Sequence, residues 1–156
     1  MNVWFRRLLL VLTIGGSFMG LALTIQFFSS ANKVIAYIIL LAFVGMYGYG
    51  IFVGLKLSEG PPPLEHLRFY FGLQIPFISS PLIAYRFCSG LQATVAIVES
   101  GLKWDCRLGS EWQFAILSSA PWGCGVNFVA LILVFLLYSR LAGVREGGPG
   151  PTQSLR

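Results

Sequence analysis

Hydrophobic and polar positions alternate along this chain in long blocks rather than at a helical or strand period. Four blocks stand out. Leu8 to Phe28 is almost wholly apolar, and Val34 to Leu55 repeats the pattern after the short polar break "SSANK". Phe69 to Tyr85 is shorter and is interrupted by Pro76 and Pro81, and Trp122 to Ser139 is apolar up to Arg140. A spanning helix needs about 20 predominantly apolar residues. The blocks therefore predict spans at 8–28, 34–55, 69–85 and 122–139, the third kinked or broken near "SSP", where freed carbonyls need a neighbouring partner. The five-residue break makes the first two helices antiparallel neighbours. "PPP" at Pro61 to Pro63 cannot continue a helix and reads as a stiff connector.

The stretch 86–121 departs from this pattern. "LQATVAIVES" and "EWQFAILSS" are apolar or amphiphilic, and "GLKWDCRLGS" between them is polar. It predicts an extracytoplasmic loop of some 35 residues lying on or near the bilayer, with short strands or an interfacial helix inside it; its period does not choose between the two. Trp104, Trp112 and Trp122 are amphipathic residues suited to an interface or a partner. The expected fold is an all-α, four-span membrane bundle over residues 1–140, followed by a flexible cytoplasmic tail at 141–156, rich in Gly and Pro.

Composition strengthens the lipid reading. The 156 residues are 56% hydrophobic and 11% charged, with a mean hydropathy of +0.75, against about 25% charged in a soluble domain. The net charge of +5 comes from basic residues scattered at block ends. They form no stripe that could follow a phosphate backbone, so nucleic acid is not an expected partner. On a four-span map, seven basic residues share the side of both termini and four lie opposite. The positive-inside rule then puts both termini in the cytoplasm of a multi-pass plasma (inner) membrane protein.

Candidate chemistry is sparse. Cys106 and Cys124 fall on the outer side of that map, where disulfides persist, and are the expected pair; Cys88 is left over. Gly16/Gly20 and Gly50/Gly54 are small residues four apart, suited to close helix packing within the chain or with a partner. Gln74, Ser79, Ser80 and Asn127 are the polar residues from which a transport site would have to be built. His66 has no second histidine to complete a metal set, and there is no nucleophile elbow, paired carboxylate or phosphate loop. No metal, cofactor or enzymatic reaction is expected. "GLKWDC" resembles the Gly-Leu-Trp…Cys loop pattern of claudin-like four-span proteins, over six residues, with a lysine inserted and between spans three and four rather than one and two.

These features point to a non-catalytic accessory or binding subunit. It would act through its outer loop and span faces on another membrane protein or on a second copy, in the manner of an immunity or assembly factor. The alternative is a small oligomeric transporter or channel using Gln74, Ser79, Ser80 and Asn127.

Overall fold

The computed structural model describes residues 2–117, 119 and 121–146, with side chains described as far as Arg140. Among the described residues there are four helices and a six-stranded antiparallel sheet. Helix α1 runs over Val3–Phe28 with a π-turn at Val11–Gly15, and α2 over Val34–Glu59. Then follow α3 (Leu64–Gly72), β1 (Pro76–Ser79), β2 (Ile83–Cys88), β3 (Leu91–Val98), β4 (Gly101–Leu108), β5 (Glu111–Ile116), β6 (Gly123–Asn127) and α4 (Phe128–Glu146).

This corrects the four-span, all-α expectation, and the multi-pass bundle that went with it. Among the described residues only α1 and α2, 26 residues each, are long and apolar enough to cross a membrane. The expected third span ends as helix at Gly72. Ile75 precedes Pro76, and a residue before proline is driven out of the α region. Pro76, lacking an N–H, takes the first position of β1, where a strand tolerates it. The expected fourth span starts late. Gly123 and Gly125 are poor helix residues and pair in β6 instead. Asn127 then opens α4, its Oδ1 accepting from the Val129 N–H at 3.2 Å. The apolar part of α4, Phe128–Arg140, is shorter than a span.

The expected outer loop, 86–121, is most of a sheet. Its strand order is β4-β3-β6-β1-β2-β5. Neither β2–β3 nor β4–β5 is a paired hairpin, although each is joined by only two residues, Ser89-Gly90 and Gly109-Ser110. The first and last strands of the order are thus tied at one end, which a flat sheet could not do, so the sheet curls. Gly90 and Gly109 adopt φ of +91° and +140° at these corners, conformations that glycine takes without a Cβ penalty. The Gly109 N–H donates to the Gly90 carbonyl, fastening the two corners together. Residues 147–156 of the expected tail lie outside the described residues.

The curled sheet docks half-way along the α1–α2 hairpin. Below the docking point, Leu9, Leu12, Val53, Leu57, Leu67, Phe71, Leu133 and Leu137 form a helical core from α1 to α4. Above it, Phe43 and Tyr47 of α2 pack with Tyr70 and Phe87, and Trp112 and Phe114 of β5 flank them. Arg6 closes the lower end, its guanidinium donating to the carbonyls of Leu57 (2.6 Å) and Ser58 (2.9 Å) at the C-terminus of α2. Cations there satisfy orphan carbonyls and complement the helix dipole.

Candidate functional site

The strand register assigns every sheet residue to a face. Directly paired residues share a face, and neighbours along a strand alternate. Through β4–β3–β6–β1 the pairs Trp104↔Val95, Val95↔Val126 and Val126↔Pro76 put one set together. This outer face carries Leu102, Trp104, Cys106 and Leu108 of β4, and Val95 and Ile97 of β3. Tyr85, Phe87, Trp112 and Phe114 continue it on β2 and β5. The opposite, concave face carries Lys103, Asp105 and Arg107 of β4, Gln92 and Thr94 of β3, Arg86 of β2 and Glu111 of β5.

Over β3 and β4 the sheet is inverted relative to a water-soluble one: apolar side chains of β4 face outward while polar ones of β3 are covered, with Lys103 and Arg107 of β4 exposed at the rim of the concave face. Gln92 and Thr94 are buried, while Trp104 is 81% and Leu108 84% exposed.

The concave face closes over an ion-pair cluster. Arg86 donates from Nη2 to Asp105 Oδ2 and from Nη1 to Glu111 Oε1, both at 3.2 Å. Arg107 reaches Asp105 at 3.0 Å and Glu111 at 3.8 Å, and Gln92 Nε2 donates to Glu111 Oε2 at 3.1 Å. These contacts join β2, β3, β4 and β5, so the seam between the unpaired edges is bridged by side chains rather than backbone. Phe77 lies beneath the Arg86 guanidinium, 5.4 Å from its centroid. A mainly apolar recess of about 140 Å³, lined among others by Phe77, Arg86, Ala96, Val98, Lys103 and Trp104, opens beside the cluster. The buried Arg86 Nε has no protein partner.

A second polar knot holds the sheet to the hairpin. Ser17 Oγ and Tyr70 Oη lie 2.6 Å apart, Ser89 Oγ donates to the Leu12 carbonyl at 3.1 Å, and Ser110 Oγ donates to the Gly16 carbonyl. The acceptors on α1 lie within its π-turn (Leu12) and directly after it (Gly16). Such a turn disturbs the regular i→i−4 ladder, and here the sheet's serines reach the carbonyls beside it. Tyr47 Oη donates to the Cys88 carbonyl at 3.1 Å, and Gln74 Oε1 accepts from the Ser89 N–H at 3.0 Å. Burial pushes the Cys88 thiol up to about 12.

The residues singled out from the sequence fall as follows. Gly16, Gly20, Gly50 and Gly54 all sit at contacts inside the chain. A Cβ there would overlap Ser89 and Gly90, the Tyr47 ring, Ser17 and Tyr70, or Thr13 and Ile14 respectively. Trp112 stacks on Phe43 at 4.5 Å and meets Phe27 edge-on, so it joins hairpin to sheet. Trp104 and Trp122 are exposed. Cys106 and Cys124 are not brought together. All three cysteines are free, β3 lies between β4 and β6, and the two residues pair with different β3 positions, Ala93 and Ile97. Two strand spacings exceed the roughly 7 Å that a disulfide can bridge.

Gln74, Ser79, Ser80 and Asn127 do not share a cavity. Ser79 donates to the Pro121 carbonyl and Ser80 caps the β1–β2 turn at Ile83. Gln74 and Asn127 are buried at the other end of the sheet, bonded to Ser89 and Ala93 backbone. His66 Nδ1 lies 2.8 Å from Tyr49 Oη.

Sequence reasoning missed the Arg86–Asp105–Glu111–Arg107 cluster. Its signal was the strict alternation Leu-Lys-Trp-Asp-Cys-Arg-Leu at 102–108, a strand period.

One further feature lies on the outside of the helices. An almost wholly apolar groove of about 680 Å³ runs between α2, α3 and β1, lined among others by Ala42, Gly45, Met46, Tyr49, Gly72 and Tyr85. The first four are spaced i, i+3, i+4, i+7 on one side of α2. A Cβ at Gly45 would meet nothing.

No family model, curated protein or solved structure matches this chain.

Proposed function

We propose that this protein is a non-catalytic accessory subunit of a membrane protein assembly, anchored by the α1–α2 hairpin and engaging a helix of its partner along the α2 groove. Both helices have spanning length and composition. Arg6, Lys56, Arg68 and Arg140 gather at one end of the bundle: Arg6 caps the C-terminus of α2, and Arg68 lies over Tyr138. Under the positive-inside rule that end is cytoplasmic, which puts the 28–34 turn, and the half of the hairpin against which the sheet packs, toward the opposite face of the plasma membrane.

The observation that carries the partner reading is Gly45. Glycine within a helix costs about 1 kcal/mol relative to alanine, and internal packing gives Gly45 no compensation. In lipid, helices associate by close backbone approach at small residues. The small positions Ala42, Gly45 and Gly72 open a groove in an apolar wall.

The test is Gly45→Leu, which fills the groove without touching the chain's own core. In native membranes the variant should accumulate and melt like the original chain. It should lose the proteins that a photo-crosslinking residue at Ala42 captures in the unaltered groove. Unchanged crosslinked products with Gly45→Leu would remove the groove as the partner site.

A further inference from the structure

We infer that the outer face of the curled sheet is itself a lipid-binding surface, seated in the leaflet on the side of the 28–34 turn. This rests on the reading that α1 and α2 cross the bilayer.

The argument is one of depth. From Arg7 to Phe28 α1 rises about 32 Å at 1.5 Å per residue, close to a hydrocarbon core of about 30 Å. Gly16 stands about 13 Å above Arg7 on the same rise, near the midplane. The sheet is fastened there, through Ser89 and Ser110. From that level β5 climbs the hairpin: Trp112 reaches Phe27 and Phe43, and Phe114 borders Ile39 and Leu40. The sheet thus occupies the depth of one leaflet instead of resting above it.

Its two faces suit that place. Hydrocarbon tolerates apolar side chains and penalises charge unless it is paired. The outer face of β4 presents Leu102, Trp104, Cys106 and Leu108, and Arg86, Asp105, Arg107 and Glu111 pair on the concave side. Open backbone at membrane depth is allowed where it is buried in protein, and the side-chain pairs from Arg86 and Arg107 to Asp105 and Glu111 close the β4–β5 seam on its concave side. At about 3.3 Å per residue, Leu108 lies near the base of the sheet and Trp104 about 13 Å higher, at the headgroup boundary that tryptophan favours.

The experiment uses the full chain in phosphatidylcholine vesicles, with bromine on the acyl chains either near the headgroup or near the chain end. Single-tryptophan chains keep Trp104, or replace all four tryptophans with Phe and carry Leu108→Trp or Phe18→Trp. Phe18 is an exposed residue of α1 close to Gly16. The expected result is loss of Trp104 emission with shallow bromine, and loss of emission at positions 108 and 18 with deep bromine. If position 18 is quenched and neither Trp104 nor position 108 is, the sheet stands clear of the bilayer and the inference falls while the hairpin reading stands. If position 18 is not quenched either, the hairpin reading falls with it. Should the substituted chains not fold, Cys106 in a Cys124→Ser chain gives the same answer. A water-soluble maleimide should leave it unlabelled in the vesicles and label it after the chain is unfolded in detergent; equal labelling before and after would overturn the inference.

Discussion

Removing the two carboxylates that hold Arg86 should destabilise the protein more than removing Arg86 together with them. In Asp105→Asn/Glu111→Gln the guanidinium keeps its charge but loses both ion pairs, at 3.2 Å each, while its side chain stays 15% exposed. Orphaning one member of a buried pair costs about 3–5 kcal/mol. Asp105 and Glu111 are each 35% exposed, so water screens the pairs and the expected loss is nearer about 2 kcal/mol. For a chain of this length that is about 4–8 °C in melting temperature. Adding Arg86→Met takes away the stranded charge, and its thioether chain can fill space over Phe77. The triple variant should therefore recover part of the loss. Cys88 provides the assay: it is buried, so in a Cys106→Ser/Cys124→Ser background a thiol-reactive dye reports unfolding in mild detergent. If the double variant melts with the parent, or the triple melts below the double, the concave face is not the closed, pair-dependent interior described above.

Three further outcomes follow from particular contacts. Gly20→Leu should prevent normal docking of the hairpin, since a side chain there meets the Tyr47 ring, whereas Gly48→Leu, with open space at its Cβ, should melt within a degree or two of the parent in the same dye assay. The Cys88 thiol is raised from 9.0 to about 12 by burial. A raised pKa gives stability that is full below the unfolded value and lost as pH climbs through the folded one. Melting temperature, read here by circular dichroism in mild detergent, should thus fall between pH 9 and 12, and less steeply in Cys88→Ala. Tyr70→Phe deletes the hydroxyl 2.6 Å from Ser17 and should cost about 1 kcal/mol, read as a lower melting temperature, with Ser17→Ala/Tyr70→Phe costing little more.

The hairpin was legible because length and uniform apolarity define it: the predicted 8–28 and 34–55 lie within the observed Val3–Phe28 and Val34–Glu59. The other two apolar blocks misled, because a strand buried on both sides, or facing lipid on one, reads like a short span. The decisive local features were Ile75-Pro76, which stops α3, and Gly123, Gly125 and Asn127, which delay α4. At 102–108 the period-2 alternation was visible, but its sense was reversed. A soluble sheet would bury the apolar positions, here they are the exposed ones, and only pairing across four strands shows that Arg86, Asp105 and Glu111 converge. The free, separated thiols of Cys106 and Cys124 depend on the same register, which a count of residues between cysteines does not contain.

The claim on which the rest depends is that the sheet packs beside the hairpin instead of forming a loop above it. Phe43 and Trp112 stack at 4.5 Å although 69 residues apart. In a chain freed of its own cysteines, Phe43→Cys/Trp112→Cys in intact membranes should yield one linked pair of peptides, by mass spectrometry, after treatment with a short bismaleimide. Val34→Cys/Trp112→Cys, at the turn of the hairpin, should yield far less. Linkage at Val34 with none at Phe43 would return residues 86–121 to the outer surface and contradict the account.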